Sequence, residues 1–343
     1  MLTNEIEYFK TVQSIKDQIR VSQYKAIKTV NSELIKLYWN IGNIILENSK
    51  WGNKFIDTLS QDIKREFPSL KGFSVRNLKY MRKFADEYTD YEFVQTVSAQ
   101  ITWSHNIEIM DKVKLDNQRK WYIEKAIENG WSLSILGHQI QTNLYERQVL
   151  VDKTTNYEKN LPKIQGELAK ATLKDPYIFD FITFRDDMLE VELEKELVKQ
   201  ITKLLLELGS GFAFVGNQYH LEVAGVDFYI DLLFYHLKLK CYVVIELKTG
   251  KFIPEYAGKL NFYLSAVDDI LKTEQDNPTV GLLLCREKNK LIAEYALKDM
   301  TKPMGISEYK LFEELPKEFE NVLPTVEDLE NRINCFEAEI FTD

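Results

Sequence analysis

Residues that form disulfides or bind zinc are scarce in this chain, which has three cysteines and four histidines among 343 residues. Cys241, Cys285 and Cys335 are far apart and odd in number, and no CxxC pair is present. This pattern excludes a disulfide framework and favours a reducing compartment. His220 and His236 lack further ligands at zinc spacing, so we interpret both as ordinary strand histidines.

Long apolar runs are also absent. No stretch approaches the roughly 18 consecutive apolar residues that indicate a transmembrane helix. The N-terminus reads MLTNEIEYFK, in which Glu5 and Glu7 stand where a secretory signal needs a basic start and an apolar run. We therefore expect no membrane partner and predict a cytoplasmic protein.

Low-complexity spacers are lacking as well, and the composition is that of an ordinary globular protein. Hydrophobic residues make up 45%, charged residues 28% and aromatic residues 12%, which excludes disordered and collagen-like classes. At about 150 residues per domain, the length predicts two domains. No GK[ST] follows the glycines at 209 and 211, which argues against a phosphate-binding loop.

The net charge of −9 hides two halves of opposite sign. Residues 1–150 hold 21 basic and 18 acidic residues, a net charge of +3, whereas the remainder carries −12. Much of that acidity lies in residues 311–343. The first half therefore remains compatible with a polyanionic partner.

The first 150 residues predict an all-helical domain, because apolar residues such as Val30 and Leu34 recur at spacings of three and four. Pro68 and Gly72 interrupt this pattern, and Ser74 predicts the N-cap of a new helix over residues 75–87. Two helices joined by a short turn have the outline of a helix-turn-helix segment.

The second helix of this segment has a basic face formed by Arg76, Lys79 and Lys83. Across residues 64–83, seven residues are basic and only Glu66 is acidic. Clustered basic residues favour phosphate contacts, so we predict that these three side chains bind nucleic acid. A solvated basic face without a partner is the alternative that spacing leaves open.

Residues 151–172 are polar, contain a proline and a glycine and lack strong periodicity, so we predict a linker there. Residues 173–343 then begin with a helix that ends at the glycines of 209 and 211. Three strands rich in aromatic and β-branched residues follow, then a helix, a strand, a helix and a strand. This αβββαβαβ order predicts an α/β (α+β) domain with a mixed central sheet.

Charged residues lie inside strands whose other residues are apolar. Asp231 interrupts YIDLLFYH, and Glu246 and Lys248 follow an apolar run in CYVVIELK. Burying an unpaired carboxylate costs several kcal/mol, so these side chains need a partner, a metal or a rim position. If adjacent strands align Asp231 with Glu246, the two carboxylates converge near Lys248 and can hold Mg²⁺ or Mn²⁺. A cross-strand salt bridge is the alternative interpretation.

These residues and their surroundings resemble a known nuclease family. Asp231, followed fifteen residues later by Glu246-x-Lys248, resembles the signature of the PD-(D/E)XK nuclease superfamily, with Ile230 in place of the usual proline. Residues 211–269 resemble the C-terminal nuclease domain of the bacterial YhcG-type family. The helical part, including GFSVRNLKYMRKF and WSHN, resembles that family's N-terminal domain. The resemblance implies a restriction-endonuclease-like fold and a metal-dependent endonuclease that acts on DNA.

The resemblance also implies roles for individual residues. Asp231 and Glu246 would bind Mg²⁺ or Mn²⁺, the carbonyl of Leu247 is a further candidate ligand, and Lys248 would be the catalytic lysine that activates water.

In related folds a glutamate on the first helix of the domain often joins the site. We prefer Glu194 for this role, with Glu196 as the alternative. Lys259 lies where the following helix commonly offers a polar residue, and Glu255 is a weaker candidate on that helix.

Other functions remain open. The chain could be a catalytically silent nucleic-acid-binding adaptor or a protein-interaction subunit of a defence or restriction complex. A homodimer is also open, because a single site that cuts both strands favours two copies. Salt dependence separates these readings, since phosphate contacts weaken steeply with ionic strength and an apolar protein interface does not.

Overall fold

The computed structural model describes residues 2–48, 53–183, 185 and 188–311. They form two compact units, Met1–Ile140 and Gln141–Asp343. The acidic segment predicted near the C-terminus lies, from residue 312 onward, outside the described residues, as does Cys335. Among the described residues, no helix has both the length and the apolar character needed to cross a membrane.

The described part of the first unit is helical, which confirms the all-helical prediction. A single turn of 3-10 helix at Ser98–Gln100 separates α4 from α5. The helices are α1 (Leu2–Glu47), α2 (Asn53–Glu66), α3 (Val75–Glu87), α4 (Tyr91–Thr96), α5 (Trp103–Lys112), α6 (Asp116–Asn129) and α7 (Leu133–Gln141).

Helix α3 begins where the sequence predicts. The hydroxyl of Ser74 accepts a hydrogen bond from the backbone amide of Asn77 at 3.3 Å, which caps the helix. Leu78, Met81 and Phe84 are fully buried on its inner face. Arg76 and Lys79 are thereby left exposed on the outer face of α3.

Gly42 allows α1 to cross α3 at very short range. A Cβ atom at Gly42 would lie 2.0 Å from the carbonyl oxygen of Met81 and 2.8 Å from the Cβ atom of Ala85. Both distances are far below van der Waals contact, so only glycine permits this crossing.

The second unit is built on one mixed sheet, as predicted. Its helices are α8 (Tyr157–Asn160), α9 (Lys163–Thr172), α10 (Glu190–Lys199), α11 (Ile201–Leu208), α12 (Pro254–Ile270) and α13 (Lys290–Leu297), with a π-helical turn at Glu146–Leu150. Its strands are β1 (Thr154–Thr155), β2 (Tyr177–Phe179), β3 (Phe212–Val223), β4 (Val226–His236), β5 (Cys241–Lys251), β6 (Val280–Glu287) and β7 (Met304–Leu311).

The strand order is β1-β7-β6-β5-β4-β3. Strand β2 also pairs with β7 but is not part of this continuous order. Strands β3, β4 and β5 pair antiparallel, whereas β5, β6 and β7 pair parallel. The predicted αβββαβαβ order is confirmed, with the first helix divided into α10 and α11 at Gln200. Helices cover both faces of the sheet, α10 and α11 on one face and α12 and α13 on the other.

The predicted linker at residues 151–172 is instead part of the second unit. It contains β1, α8 and α9, and β1 pairs with β7. Tyr157 is buried and donates a hydrogen bond from its hydroxyl to the carbonyl of Gly281 at 2.9 Å. The side-chain amide of Asn156 binds the carbonyl of Lys302 at 3.1 Å. The polar side chains of this stretch satisfy buried backbone groups, which composition alone does not reveal.

The boundary between the units also lies earlier than the predicted residue 150. Arg147 is buried in the second unit, where its Nη1 atom lies 2.6 Å from Oε1 of Glu207. Burial alone would raise the pKa of Glu207, but Arg147 and Lys174 outweigh it and lower that pKa. Because a buried ion pair is costly to break, residues 141–150 belong to the second unit.

Candidate active site

The two carboxylates predicted to bind metal lie side by side on adjacent strands. The pairing of β4 with β5 ends at Leu232 and Ile245, so Asp231 and Glu246 are the first residues beyond the last pair on these adjacent strands. The backbone amide of Leu247 donates a hydrogen bond to Oδ2 of Asp231 at 2.9 Å. Side chains alternate along a strand, so both carboxylates lie on the same face of the sheet. This is the register that the sequence argument required.

Glu246 is almost completely buried, with 1% of its surface exposed. Its Oε2 atom accepts a hydrogen bond from Nζ of Lys259 at 3.0 Å. Its Oε1 atom is buried and has no hydrogen-bond partner among the described residues. Burial and then the charge of Asp231 raise the pKa of Glu246 to about 7. Burial also raises the pKa of Asp231, against the effect of the Leu247 amide.

Lys248 is buried beside Glu246 and is 5% exposed. Its Nζ atom donates hydrogen bonds to Oε2 of Glu190 at 2.7 Å and to the carbonyl of Leu247 at 2.9 Å. The same atom lies 3.9 Å from Oε2 of Glu246 and 5.2 Å from the ring centroid of Tyr256. These contacts hold the ammonium group in one position beside Glu246.

Lys259 reaches the site from α12. Its Nζ atom lies 5.1 Å from the ring centroid of Tyr263, and 45% of its side chain is exposed. Burial alone would lower the pKa of Lys259, but the adjacent Glu246 carboxylate raises it above its usual range. Glu255 is exposed in the first turn of the same helix, so Lys259 is the residue that contacts the carboxylates.

The helix glutamate that contacts the cluster is Glu190, one turn before the preferred Glu194. Glu194 is buried, but its carboxylate accepts hydrogen bonds from the side-chain amides of Asn217, at 2.8 Å, and Gln218. Glu196 pairs with Lys199 on the surface of α10 at 3.5 Å. Of these three glutamates, Glu190 is therefore the one that contacts Lys248 in the structure. The cause is the start of α10, which places its first turn, and not its second, beside Lys248.

Sequence reasoning also missed the two tyrosines of the site. Tyr256 and Tyr263 lie three residues before and four residues after Lys259 on α12, so all three share one helix face. That spacing was available in the sequence and could have identified them. Glu190 could have been found in the same way, because it lies four residues before Glu194 on the same face.

The chemistry of the site suits a hard divalent cation. Asp231, Glu246 and Glu190 provide three carboxylates against two ammonium groups, and the buried Oε1 atom of Glu246 lacks a partner within the described residues. In that part of the chain no group of three or more histidine, cysteine, aspartate or glutamate side chains is arranged to hold a metal. Mg²⁺ commonly uses only one or two carboxylates together with water and phosphate oxygens. A pair of carboxylates is therefore a sufficient protein ligand set.

The three basic residues predicted to bind nucleic acid differ in their exposure and hydrogen bonding. Arg76 and Lys79 are exposed on α3. Lys83 instead donates hydrogen bonds to the carbonyl of Met110 at 2.9 Å and to Oδ1 of Asp111 at 3.1 Å. Its ammonium group thus already joins α3 to α5, which leaves Arg76 and Lys79 as the stronger candidates for phosphate contact.

Comparisons with known proteins identify relatives across nearly the whole chain. Residues 170–324 match the family described as the YhcG PDDEXK nuclease domain, and residues 14–147 match the DUF1016 N-terminal domain. The chain is 30% identical over 331 residues to the "Putative nuclease YhcG" of Escherichia coli (strain K12), a match that covers 86% of this chain and 87% of that protein.

Two solved structures match a smaller part of the chain. A repair endonuclease from Pyrococcus abyssi has 13% identity and a TM-score of 0.25, and the match covers 38% of this chain and 49% of that chain. EndoMS in complex with double-stranded DNA has 16% identity and a TM-score of 0.26, and the match covers 38% of this chain and 48% of that chain. The matches thus span about half the length of those two chains.

Proposed function

Because the chain belongs to the YhcG family of PDDEXK nucleases, as the sequence resemblance predicted, we propose that it is a divalent-metal-dependent endonuclease that cleaves DNA. One observation carries the proposal. Asp231, Glu246 and Lys248 meet where the pairing between β4 and β5 ends, and a buried carboxylate oxygen there has no protein partner in the described part of the chain. DNA, and not RNA, is proposed as the substrate on the family resemblance.

Asp231 and Glu246 would hold the cation, for which Mg²⁺ and Mn²⁺ are the candidates, and the carbonyl of Leu247 is a further candidate ligand. The cation, when bound, supplies positive charge that stabilises the scissile phosphate in its transition state. The raised pKa of Glu246 fits this role, because a buried carboxylate beside a second carboxylate favours the approach of a cation.

Lys248 would orient the attacking water and the phosphate. An ammonium group has three N–H donors, and Lys248 directs two of them at Glu190 and at the carbonyl of Leu247. The third is available to a water or phosphate oxygen in front of the carboxylates. Glu190 fixes the position of Nζ and can take a proton from Lys248, whose neutral amine can then accept a proton from the attacking water.

The first unit would hold the substrate through phosphate contacts made by Arg76 and Lys79 on α3. Lys83 would support that surface from within by joining α3 to α5. Cleavage of both strands of a duplex would favour two active sites and hence a second copy of the chain. We place the reaction in the cytoplasm, in keeping with the free thiols of Cys241 and Cys285.

Cleavage assays with matched lysine variants test the proposal. Wild type, Lys248→Met and Lys251→Met would be incubated with plasmid DNA, single-stranded DNA and RNA in the presence of Mg²⁺, Mn²⁺ or EDTA. Lys251 lies three residues further along β5 and is exposed, so it controls for the loss of charge. We expect metal-dependent DNA cleavage by wild type and Lys251→Met, and none by Lys248→Met. Equal cleavage by all three proteins would exclude this site as the catalytic centre.

A further inference from the structure

We propose that Lys259 is a resident counter-ion of the metal site, which neutralises Glu246 when no divalent cation is bound and competes with the cation for that carboxylate. The inference rests on the proposed function and deepens it, because it assigns to this chain a built-in control of metal binding.

The contact between Lys259 and Glu246 is the first observation. Nζ of Lys259 lies 3.0 Å from Oε2 of Glu246, a carboxylate that is 1% exposed. Among the positive groups that act on Glu246, Lys259 exerts a larger effect than Lys248. Lys259 also acts on Asp231, so its charge serves both carboxylates that would hold the cation.

The contrast between the two lysines is the second observation. Lys248 has 6% of its side chain exposed and is fixed by Glu190 and the carbonyl of Leu247. Lys259 has 45% of its side chain exposed and lies against the ring of Tyr263 at the edge of the site. An exposed lysine can move its ammonium group into water at little cost, because its long flexible stem reaches solvent. Lys248 therefore stays in place, and Lys259 is free to leave.

Competition follows from the charges. A divalent cation bound to Glu246 would approach the ammonium group of Lys259 within a few ångströms, where like charges repel strongly in a partly buried site. The cation must either displace the ammonium group of Lys259 or bind despite the electrostatic repulsion from it. By thermodynamic reciprocity, cation binding then weakens the Lys259–Glu246 pair as much as the pair weakens cation binding.

Direct measurement of Mn²⁺ binding tests the inference without relying on activity. Isothermal titration calorimetry on the full chain would compare wild type with Lys259→Gln, which removes the charge, and Lys259→Arg, which keeps it. Lys251→Gln is the matched control, since Lys251 is an exposed lysine of the same unit that pairs with Glu287 at 2.9 Å. Glu246→Gln reports whether the binding measured occurs at this site.

We expect Lys259→Gln to bind Mn²⁺ about tenfold more tightly than wild type, with Lys259→Arg and Lys251→Gln close to wild type and Glu246→Gln without binding. Unchanged or weaker binding by Lys259→Gln, with binding still lost in Glu246→Gln, would overturn the inference and leave the metal site intact. An equal gain in Lys251→Gln would overturn it too, as a general charge effect. No binding by any variant would overturn both the inference and the metal dependence of the proposed function.

Amine acylation followed by mass spectrometry gives a second readout. If Mn²⁺ displaces the ammonium group of Lys259 into solvent, acylation at Lys259 should rise when Mn²⁺ is added, while acylation at Lys251 stays constant. The Glu246→Gln variant should show high acylation at Lys259 with or without Mn²⁺. Protection of Lys259 that does not respond to Mn²⁺ in wild type would contradict displacement.

Discussion

Glu190 and Lys248 form an ion pair of 2.7 Å that connects the first turn of α10 to β5. Lys248 is 5% exposed, whereas 40% of the Glu190 side chain remains open to solvent. A lysine side chain carries about 2 kcal/mol of rotamer entropy, which this carboxylate helps to restrict. The position of Nζ beside Glu246 thus depends on a residue of a separate helix.

Replacement of Glu190 by Gln should therefore slow cleavage without weakening substrate binding. We expect kcat to fall about 10- to 100-fold, the usual range for residues that orient an active-site group, with KM for DNA close to wild type. Glu190→Asp should recover part of the loss, because it retains the charge. Steady-state cleavage of a labelled duplex measures both constants.

Glu196→Gln is the control for this prediction, since Glu196 lies on the same helix and pairs with Lys199 at the surface. It should cleave at the wild-type rate. A rise in KM with unchanged kcat for Glu190→Gln would show that Glu190 binds substrate and does not position Lys248.

The buried carboxylate of Glu246 should make the metal-free protein less stable as pH rises. The pKa of Glu246 is raised to about 7 in the folded state, above its ordinary value of 4.5, because of burial and the charge of Asp231. Folding therefore favours the protonated form. The associated stability is fully present below pH 4.5 and is lost as pH rises through about 7, by up to about 3 kcal/mol. Thermal unfolding in EDTA between pH 5 and pH 8 measures the change.

Glu246→Gln is the matched variant, because its amide is neutral at every pH. Its unfolding temperature should vary less than that of wild type over the same range, and it should gain nothing from Mg²⁺. Wild type should regain stability with Mg²⁺ at pH 8, since a ligand that binds only the folded state stabilises it. Parallel pH profiles for wild type and Glu246→Gln would refute the assignment.

The sequence was sufficient to predict the order of helices and strands along the second unit, and to identify Asp231 and Glu246 as carboxylates that meet if their strands align. Both depend on local patterns: alternation along a strand, turn signals between strands, and charged residues at positions that would otherwise be apolar. The contact between Glu190 and Lys248 was not predicted, since the sequence argument preferred Glu194. The choice between Glu190 and Glu194 depends on how α10 packs on β5, and no pattern within the helix itself fixes that packing.

The predicted linker failed for a different physical reason. Asn156 and Asn160 look like loop residues, yet their side-chain amides bind the carbonyl of Met300, at 3.3 Å and 2.9 Å respectively. Those contacts join residues more than a hundred positions apart, and a single sequence carries no record of them. Composition identifies polar side chains but not whether water or the protein satisfies them.

Two glycine replacements should have opposite effects on stability. Gly42→Ala would place a Cβ atom 2.0 Å from the carbonyl oxygen of Met81, so we expect a loss of about 1–3 kcal/mol. Gly258→Ala on α12 has nothing within 4 Å of its added Cβ atom, so helix propensity alone should stabilise it by about 1 kcal/mol. Thermal unfolding of both variants measures the difference. If Gly258→Ala destabilises the protein as much as Gly42→Ala does, the close crossing of α1 and α3 is not the cause of the stability loss at Gly42.

Basic residues on α3 should differ in how they affect DNA binding. Arg76 and Lys79 are exposed, whereas Lys83 binds the carbonyl of Met110 and the carboxylate of Asp111. Each phosphate contact that is lost should reduce the slope of log K against log salt by about 0.9. The double variant Arg76→Ala, Lys79→Ala should therefore bind DNA more weakly and with a slope smaller by about 2.

Lys83→Ala is the matched comparison for that experiment, and fluorescence anisotropy across a salt series measures both variants. The Lys83→Ala substitution should lower the unfolding temperature, because Asp111 loses a partner. It should leave the slope of log K against log salt unchanged. A slope that falls in Lys83→Ala and stays constant in the double variant would move the DNA contact from the exposed face of α3 to its junction with α5. An unchanged slope in both variants would remove α3 from substrate binding, and the phosphate contacts would then have to come from elsewhere in the chain.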